Sequence, residues 1–306
     1  MAIPTRPFGR SDEQVSLLAV GGAHLGRPEE AEAIRMVHAA IDAGATFLDN
    51  AWEYNDGESE RRMGKALGQG GYRDRAFLMT KDCAHDRRAE HSMVKLEESL
   101  RRLQTDHLDL WQIHEVVWDN DPARVFAPGG SIEALVKAKE QGKVRYIGFT
   151  GHKHPRLHRQ MLEQGFPWDS VQMPLNVLDA HYLSFEREIL PILTEQGIAV
   201  IGMKSNAGGH LADTGISATE GLRYAMSLPV TTVVSGMTSL DQLQQNLAVA
   251  DGFVPLLASE RDALLERSRP HSADGELGSV LNGFGQLFKT PVHGSPASGT
   301  LERKSR

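Results

Sequence analysis

Short, nearly continuous apolar runs recur along the chain at 16–20, 46–49, 77–80, 108–114, 144–149, 170–173, 198–203 and 230–235. They predict eight strands of a parallel sheet covered on its outer face. Between them the apolar residues return every three or four positions, the spacing of amphipathic helices. One helix opens at Pro28-Glu29-Glu30 and closes at Asp42-Ala43-Gly44, with acids at its positive end and a terminal glycine. Others are expected over 58–67, 91–103, 131–141, 185–196, 216–227 and 239–250, several ending at a glycine. In 91–103 the buried face is Met93, Leu96, Leu100 and Leu103.

Eight strand–helix units predict an α/β fold, the (β/α)8 TIM barrel, since eight strands close the ring. The competing doubly wound sheet needs a Gly-x-Gly-x-x-Gly turn after an early strand. Gly283-Phe284-Gly285 lacks the third glycine and follows no strand. Residues 6–10 with 14–16 read as an N-terminal β-hairpin plugging the barrel floor. The barrel domain is expected over 1–269, hairpin included, and an irregular C-terminal tail over 270–306. That tail is rich in Gly, Ser, Pro and His, with Leu277, Val280, Leu281, Phe284, Leu287 and Phe288 as its apolar anchors. It reads either as a disordered tail or as a lid over the substrate.

Composition narrows the function classes. Among 306 residues, 33 Lys+Arg against 40 Asp+Glu give a formal charge of −7. This mild acidity gives no reason to expect nucleic acid or an anionic membrane as partner. No apolar stretch approaches the roughly 20 residues of a membrane span. The first residues carry no apolar signal core. Cys83 is the one cysteine, which excludes an intrachain disulfide and a Cys-x-x-Cys pair. The expected compartment is the cytoplasm. His114-Glu115-Val116-Val117-Trp118 ends in Trp where a zinc helix needs His, and His152-Lys153-His154 reads as a loop pair. No metal is expected.

Barrel enzymes place their chemistry at the C-terminal strand ends. There the chain sets Asp49 and Tyr54 after the second run, Lys81 after the third and His114 after the fourth. A lysine ammonium lowers a tyrosine's pKa, a carboxylate holds the lysine, and a histidine orients an oxygen or relays its proton. Together they suit proton delivery to an oxygen while its carbon is attacked. Trp52 and Trp118, with His24 and Cys83, are candidates to line the substrate pocket. The long segment 115–130 is a candidate specificity element.

The stretch from Phe47-Leu48-Asp49-Asn50-Ala51-Trp52-Glu53-Tyr54 to Asn55-Asp56-Gly57-Glu58-Ser59-Glu60 resembles the second-strand signature of the aldo-keto reductases. Leu78-Met79-Thr80-Lys81 and Asp109-Leu110-Trp111-Gln112-Ile113-His114 resemble the segments that follow it, and the likeness runs from about Thr5 to Asp251. The resemblance implies a nicotinamide cofactor across the barrel mouth, Tyr54 as general acid, Lys81 and Asp49 behind it, and His114 orienting the carbonyl. It implies cofactor contacts from Thr150, Gly151, Gln172, Asn176, Met203 and Lys204. It implies more from Gly236, Met237, Thr238, Ser239, Gln242, Gln245 and Asn246. Leu175 stands where a tyrosine is common and Gln245 where a glutamate is. The segment 236–246 lacks the Lys or Arg that many members aim at the 2′-phosphate of NADP. NADPH is the expected cofactor, with NAD the alternative. The expected activity is reduction of small aldehydes or ketones to alcohols. An NAD-linked sugar or polyol dehydrogenase, or a cofactor-binding regulatory protein with little turnover, are the alternatives.

Overall fold

The computed structural model describes residues 3–83 and 85–272. Strands β1 (Thr5–Pro7) and β2 (Gln14–Ser16) form an antiparallel hairpin, with Arg6 opposite Val15. Eight parallel strands follow: β3 (Leu18–Gly21), β4 (Phe47–Asp49), β5 (Phe77–Lys81), β6 (Leu108–Ile113), β7 (Val144–Thr150), β8 (Ser170–Pro174), β9 (Ala199–Met203) and β10 (Thr232–Gly236). They close into a barrel in sequence order, with β10 pairing β3 at the seam. There Val233 lies opposite Leu18 and Gly236 opposite Gly21. The expected first strand divides, since Ser16 ends the hairpin and β3 starts at Leu18.

Strand residues alternate between two cores, as a pleat of period two demands. Leu48, Leu78, Trp111 and Val171 face the outer layer, where helices cover the sheet. Phe47, Phe77, Met79, Leu110 and Ile201 fill the interior, joined there by Phe8 and Val15 of the hairpin. The ring of Phe8 sits 5.0 Å from that of Phe77 and 4.8 Å from that of Tyr146. The hairpin is the floor plug that the sequence predicts. Arg6 fastens it, donating to the carbonyls of Met226, Leu228 and Val230 at 2.6–3.0 Å.

The helices run over Glu30–Asp42, Glu58–Leu67, Ala89–Leu103, Ser131–Glu140, Ala218–Ser227 and Leu240–Ala250, close to expectation. The helix expected over 185–196 is two pieces, Phe185–Glu188 and Leu190–Glu195. Pro191 has no N–H and its ring clashes with the preceding turn, so the helix restarts there. Three helices are additional: Asp121–Phe126, Pro155–Glu163 and Ala258–Ser268. The first lies within the expected long segment 115–130. Among the described residues no helix is long and apolar enough to cross a membrane. Apart from residues 270–272, the expected tail and its apolar anchors lie outside the described residues.

Candidate active site

Strand register brings the four polar residues together at one end of the barrel. Asp49 ends β4, Lys81 ends β5, and His114 follows β6. Lys81 Nζ contacts Asp49 Oδ1, donates to the Asn50 carbonyl at 2.8 Å, and lies 3.4 Å from Tyr54 Oη. The second oxygen of Asp49 accepts from Gln172 Nε2 at 2.6 Å. Tyr54 enters from the short helical turn Tyr54–Gly57, where Asn55, Asp56 and Gly57 adopt left-handed backbone. Asn55 ties that turn to the Ala23 carbonyl at 3.1 Å, and just before the turn the Trp52 carbonyl accepts from Arg102 at 2.8 Å.

Burial dominates the electrostatics. The Tyr54 hydroxyl is held well above its ordinary pKa, first by burial and then by Asp49, Glu115 and Glu53. A net lowering by Lys81 was expected from the sequence; the carboxylates and the loss of water outweigh it, so the phenol keeps its proton. Burial also lowers the Lys81 pKa, against the opposing pull of Asp49. Around this centre lies a second polar layer. His114 Nδ1 sits 2.6 Å from Glu53 Oε1, off the line of an ideal hydrogen bond. His152 Nε2 lies 3.2 Å from Glu115 Oε1. Burial raises the Glu115 pKa, but His152, His114 and Lys204 together hold it well below the usual range. Glu115 and Lys204 both have left-handed backbone, with φ of 46° and 56°.

A cleft of about 460 Å³ opens beside the tetrad. Asp49, Tyr54, Gln172, Met203 and Lys204 border one part of it, and Gly236, Thr238 and Gln242 another. Three buried polar atoms on cleft residues have no partner: Gln172 Oε1, His24 Nδ1 and Asn206 Oδ1. A buried polar atom without a hydrogen bond is costly, so this wall is built for a polar ligand. A Cβ at Gly236 would come within 2.2 Å of His24 Nδ1, so glycine there lets the ring approach the strand end. These features fit a nicotinamide dinucleotide.

Other residues expected to contact the cofactor do not line this cleft. Thr150 and Gly151 are buried at the end of β7, where a Cβ on Gly151 would meet Val116 and His158. Asn176 folds its own loop, accepting from the backbone of Leu178 and Asp179 and donating to the Lys204 carbonyl. Met237 is in the core. Ser239 caps the helix Leu240–Ala250, Asn246 donates to Ser235, and Gln245 is exposed. His24, expected on the substrate side, stands beside Gly236 instead. Trp52 does not line this cleft: its indole donates to Glu98 at 2.6 Å under the Lys95 ammonium. Cys83 and Trp118 sit in loops outside this cleft. The backbone of Trp118 donates to Asp121, which also forms a fully buried ion pair with Arg87. His154, expected as half of a loop pair, caps the helix Pro155–Glu163. Among the described residues no group of three His, Cys, Asp or Glu is arranged to hold a metal. Sequence reasoning missed Arg27, Asn206, Glu53 and Glu115; the last two are neighbours of motif residues, which is the one signal available.

A family model, the aldo/keto reductase family, matches residues 17–221. The chain belongs to the aldo/keto reductase family. It is 31% identical over 195 residues to the aldo-keto reductase YhdN of Bacillus subtilis, covering 60% of this chain and 54% of that protein. The solved holo form of the aldo-keto reductase AKR11C1 from Bacillus halodurans superposes with a TM-score of 0.74 at 26% identity, covering 87% of this chain and 96% of that one. The fold is shared too by an aldo-keto reductase from Klebsiella pneumoniae solved with NADPH, with a TM-score of 0.73 at 22% identity over 90% and 97% of the two chains.

Proposed function

We propose that this aldo/keto reductase reduces small aldehydes or ketones to alcohols with NADPH, and that Tyr54 is the proton donor. The observation that carries the reading is the Lys81–Tyr54 contact at 3.4 Å on a cleft whose buried polar atoms await a ligand. A bound NADPH supplies the hydride to the carbonyl carbon. The chain's own residues do the rest. Gln172, anchored on Asp49, offers its free Oε1 to an amide donor in the cleft. Met203 gives an apolar contact for a flat ring. Gly236, Thr238 and Gln242 surround the phosphate-bearing end, with the capped N-terminus of Leu240–Ala250 behind them.

Burial keeps Tyr54 protonated until the carbonyl oxygen takes up negative charge. The proton then passes from Oη to that oxygen, and the Lys81 ammonium stabilises the tyrosinate left behind. Asp49 and the Asn50 carbonyl hold the ammonium in place. The reverse reaction oxidises an alcohol with tyrosinate as base. Replacing Tyr54 with Phe removes one hydroxyl and little else. Turnover of a reactive aldehyde, followed at 340 nm, falls roughly 10²–10⁴-fold, the scale of general acid catalysis. NADPH still binds, as its fluorescence titration reads. Near-normal reduction by Tyr54→Phe would assign the proton to another donor.

A further inference from the structure

We propose that His24 binds a phosphate group of the dinucleotide and takes up a proton as it does so, which ties cofactor affinity to pH. The inference rests on the reading of the cleft as a dinucleotide site. His24 ends the short turn Gly22–His24 after β3, and its ring borders the cleft against the end of β10. Glycine at 236 makes the room, since a Cβ there would come within 2.2 Å of Nδ1. Nδ1 is buried without a hydrogen bond, and no group among the described residues bonds Nε2. The surrounding wall favours an anion. Arg27 in the same loop and Lys204 in the loop after β9 border the cleft, and the one carboxylate among the described bordering residues, Asp49, is held by Lys81. From β10 and the loop after it come Gly236, Thr238 and Gln242, none of them charged.

An imidazole titrates close to physiological pH, so its surroundings decide its charge. In the free protein burial, and then Arg27, hold the His24 pKa below its ordinary value, and the ring is neutral. Other charged groups stand on the elements packed around the loop. Arg62 of the helix Glu58–Leu67 is paired with Glu58 at 3.2 Å, Asp56 lies in the turn Tyr54–Gly57, and Asp241 opens the helix Leu240–Ala250. Arg27 is the charge that acts on the ring. A phosphate in the cleft reverses the balance, because an anion beside the ring favours imidazolium. The proton comes from solvent. The sign follows by linkage, since the ring's pKa is higher in the complex than in the free protein. Affinity is therefore full below the free pKa and is lost as pH rises through the pKa of the complex. Each pKa unit gained on binding is about tenfold in affinity.

The test needs no turnover. Calorimetric titration in two buffers of different ionisation heat counts the protons exchanged when NADH or NADPH binds. His24→Gln can hydrogen-bond but cannot take a proton, so the wild type minus this variant is the share of His24. The subtraction matters for NADPH, whose 2′-phosphate itself titrates near about pH 6. The wild type takes up more protons than His24→Gln near neutral pH. By fluorescence titration it also loses up to about tenfold more affinity between pH 6 and pH 8. A difference with both cofactors assigns the ring to the bridging pyrophosphate, which NADH shares; a difference with NADPH alone assigns it to the 2′-phosphate. No difference with either cofactor overturns the proposal. Binding of neither cofactor by the wild type overturns the dinucleotide reading instead. Spectra of 15N-histidine-labelled wild type then decide on His24, as they do if His24→Gln fails to fold. The His24 pKa rises in the presence of excess inorganic pyrophosphate, and a pKa that does not rise overturns the phosphate site.

Discussion

At the scale of single residues, the site concentrates charge where water is scarce. Asp82, next to Lys81, is buried and its carboxyl is pushed up to about 6, mainly by burial. Ser92 Oγ donates to it at 2.5 Å and the Cys83 N–H at 2.7 Å, which opposes the shift without cancelling it. The folded-state pKa thus lies above the unfolded value of 3.8. Stability from the protonated carboxyl is complete below pH 4 and is lost as pH rises through 6. Asp82→Asn keeps an acceptor for Cys83 and offers Ser92 an N–H. It should gain about 1–3 kcal/mol at pH 8, a shift of about two pKa units at most. The gain should shrink toward pH 5. Chemical denaturation at the two pH values measures it, and an equal gain at both would place the effect in packing.

At the scale of elements, the loop after β3 carries what the last βα loop lacks. Arg27 is exposed on the same cleft as Thr238 and Gln242, and no ion pair among the described residues holds its guanidinium. On the proposed NADPH reading it would supply the cation that 236–246 lacks. Arg27→Met should weaken NADPH about tenfold, or about 1.4 kcal/mol, and leave NADH unchanged. Fluorescence titrations with both cofactors read the ratio; equal losses would place Arg27 on a group both cofactors share. Nothing local marks this arginine, because converging loops are set by the closed ring and not by periodicity. The strands were legible because most of their residues are buried on both faces of the sheet. Asp49, Lys81 and His114 could be placed together from the sequence because they end or follow strands, and Tyr54 because it follows β4 within five residues. The packing of Trp52 was not legible for the converse reason: its partners Lys95, Glu98 and Arg102 lie more than forty residues away on the helix Ala89–Leu103. The helix Pro155–Glu163 escaped because Leu157 and Met161 are a thin apolar stripe, although His154-Pro155 is a good opening signal.

At the scale of the whole molecule, stability and chemistry occupy opposite ends of the barrel. Phe8 is fully buried in the plug. Phe8→Ala should cost about 3–5 kcal/mol by denaturant unfolding, yet leave NADPH affinity intact. A matching loss of affinity would mean that the floor and the mouth are coupled through the barrel interior. The seam between β10 and β3 has a consequence for synthesis. Thr232 bonds to the Leu17 carbonyl across 215 residues of chain. At about 5–20 residues per second, a ribosome needs roughly ten to forty seconds to make the partner that β3 awaits. Throughout that interval the growing chain presents an unpaired strand edge, the template on which aggregation begins. Helper proteins that shield nascent chains have their longest task here at the first barrel strand, and a circular permutant opened between β3 and β4 would transfer that wait to β4, whose partner β3 would then be made last.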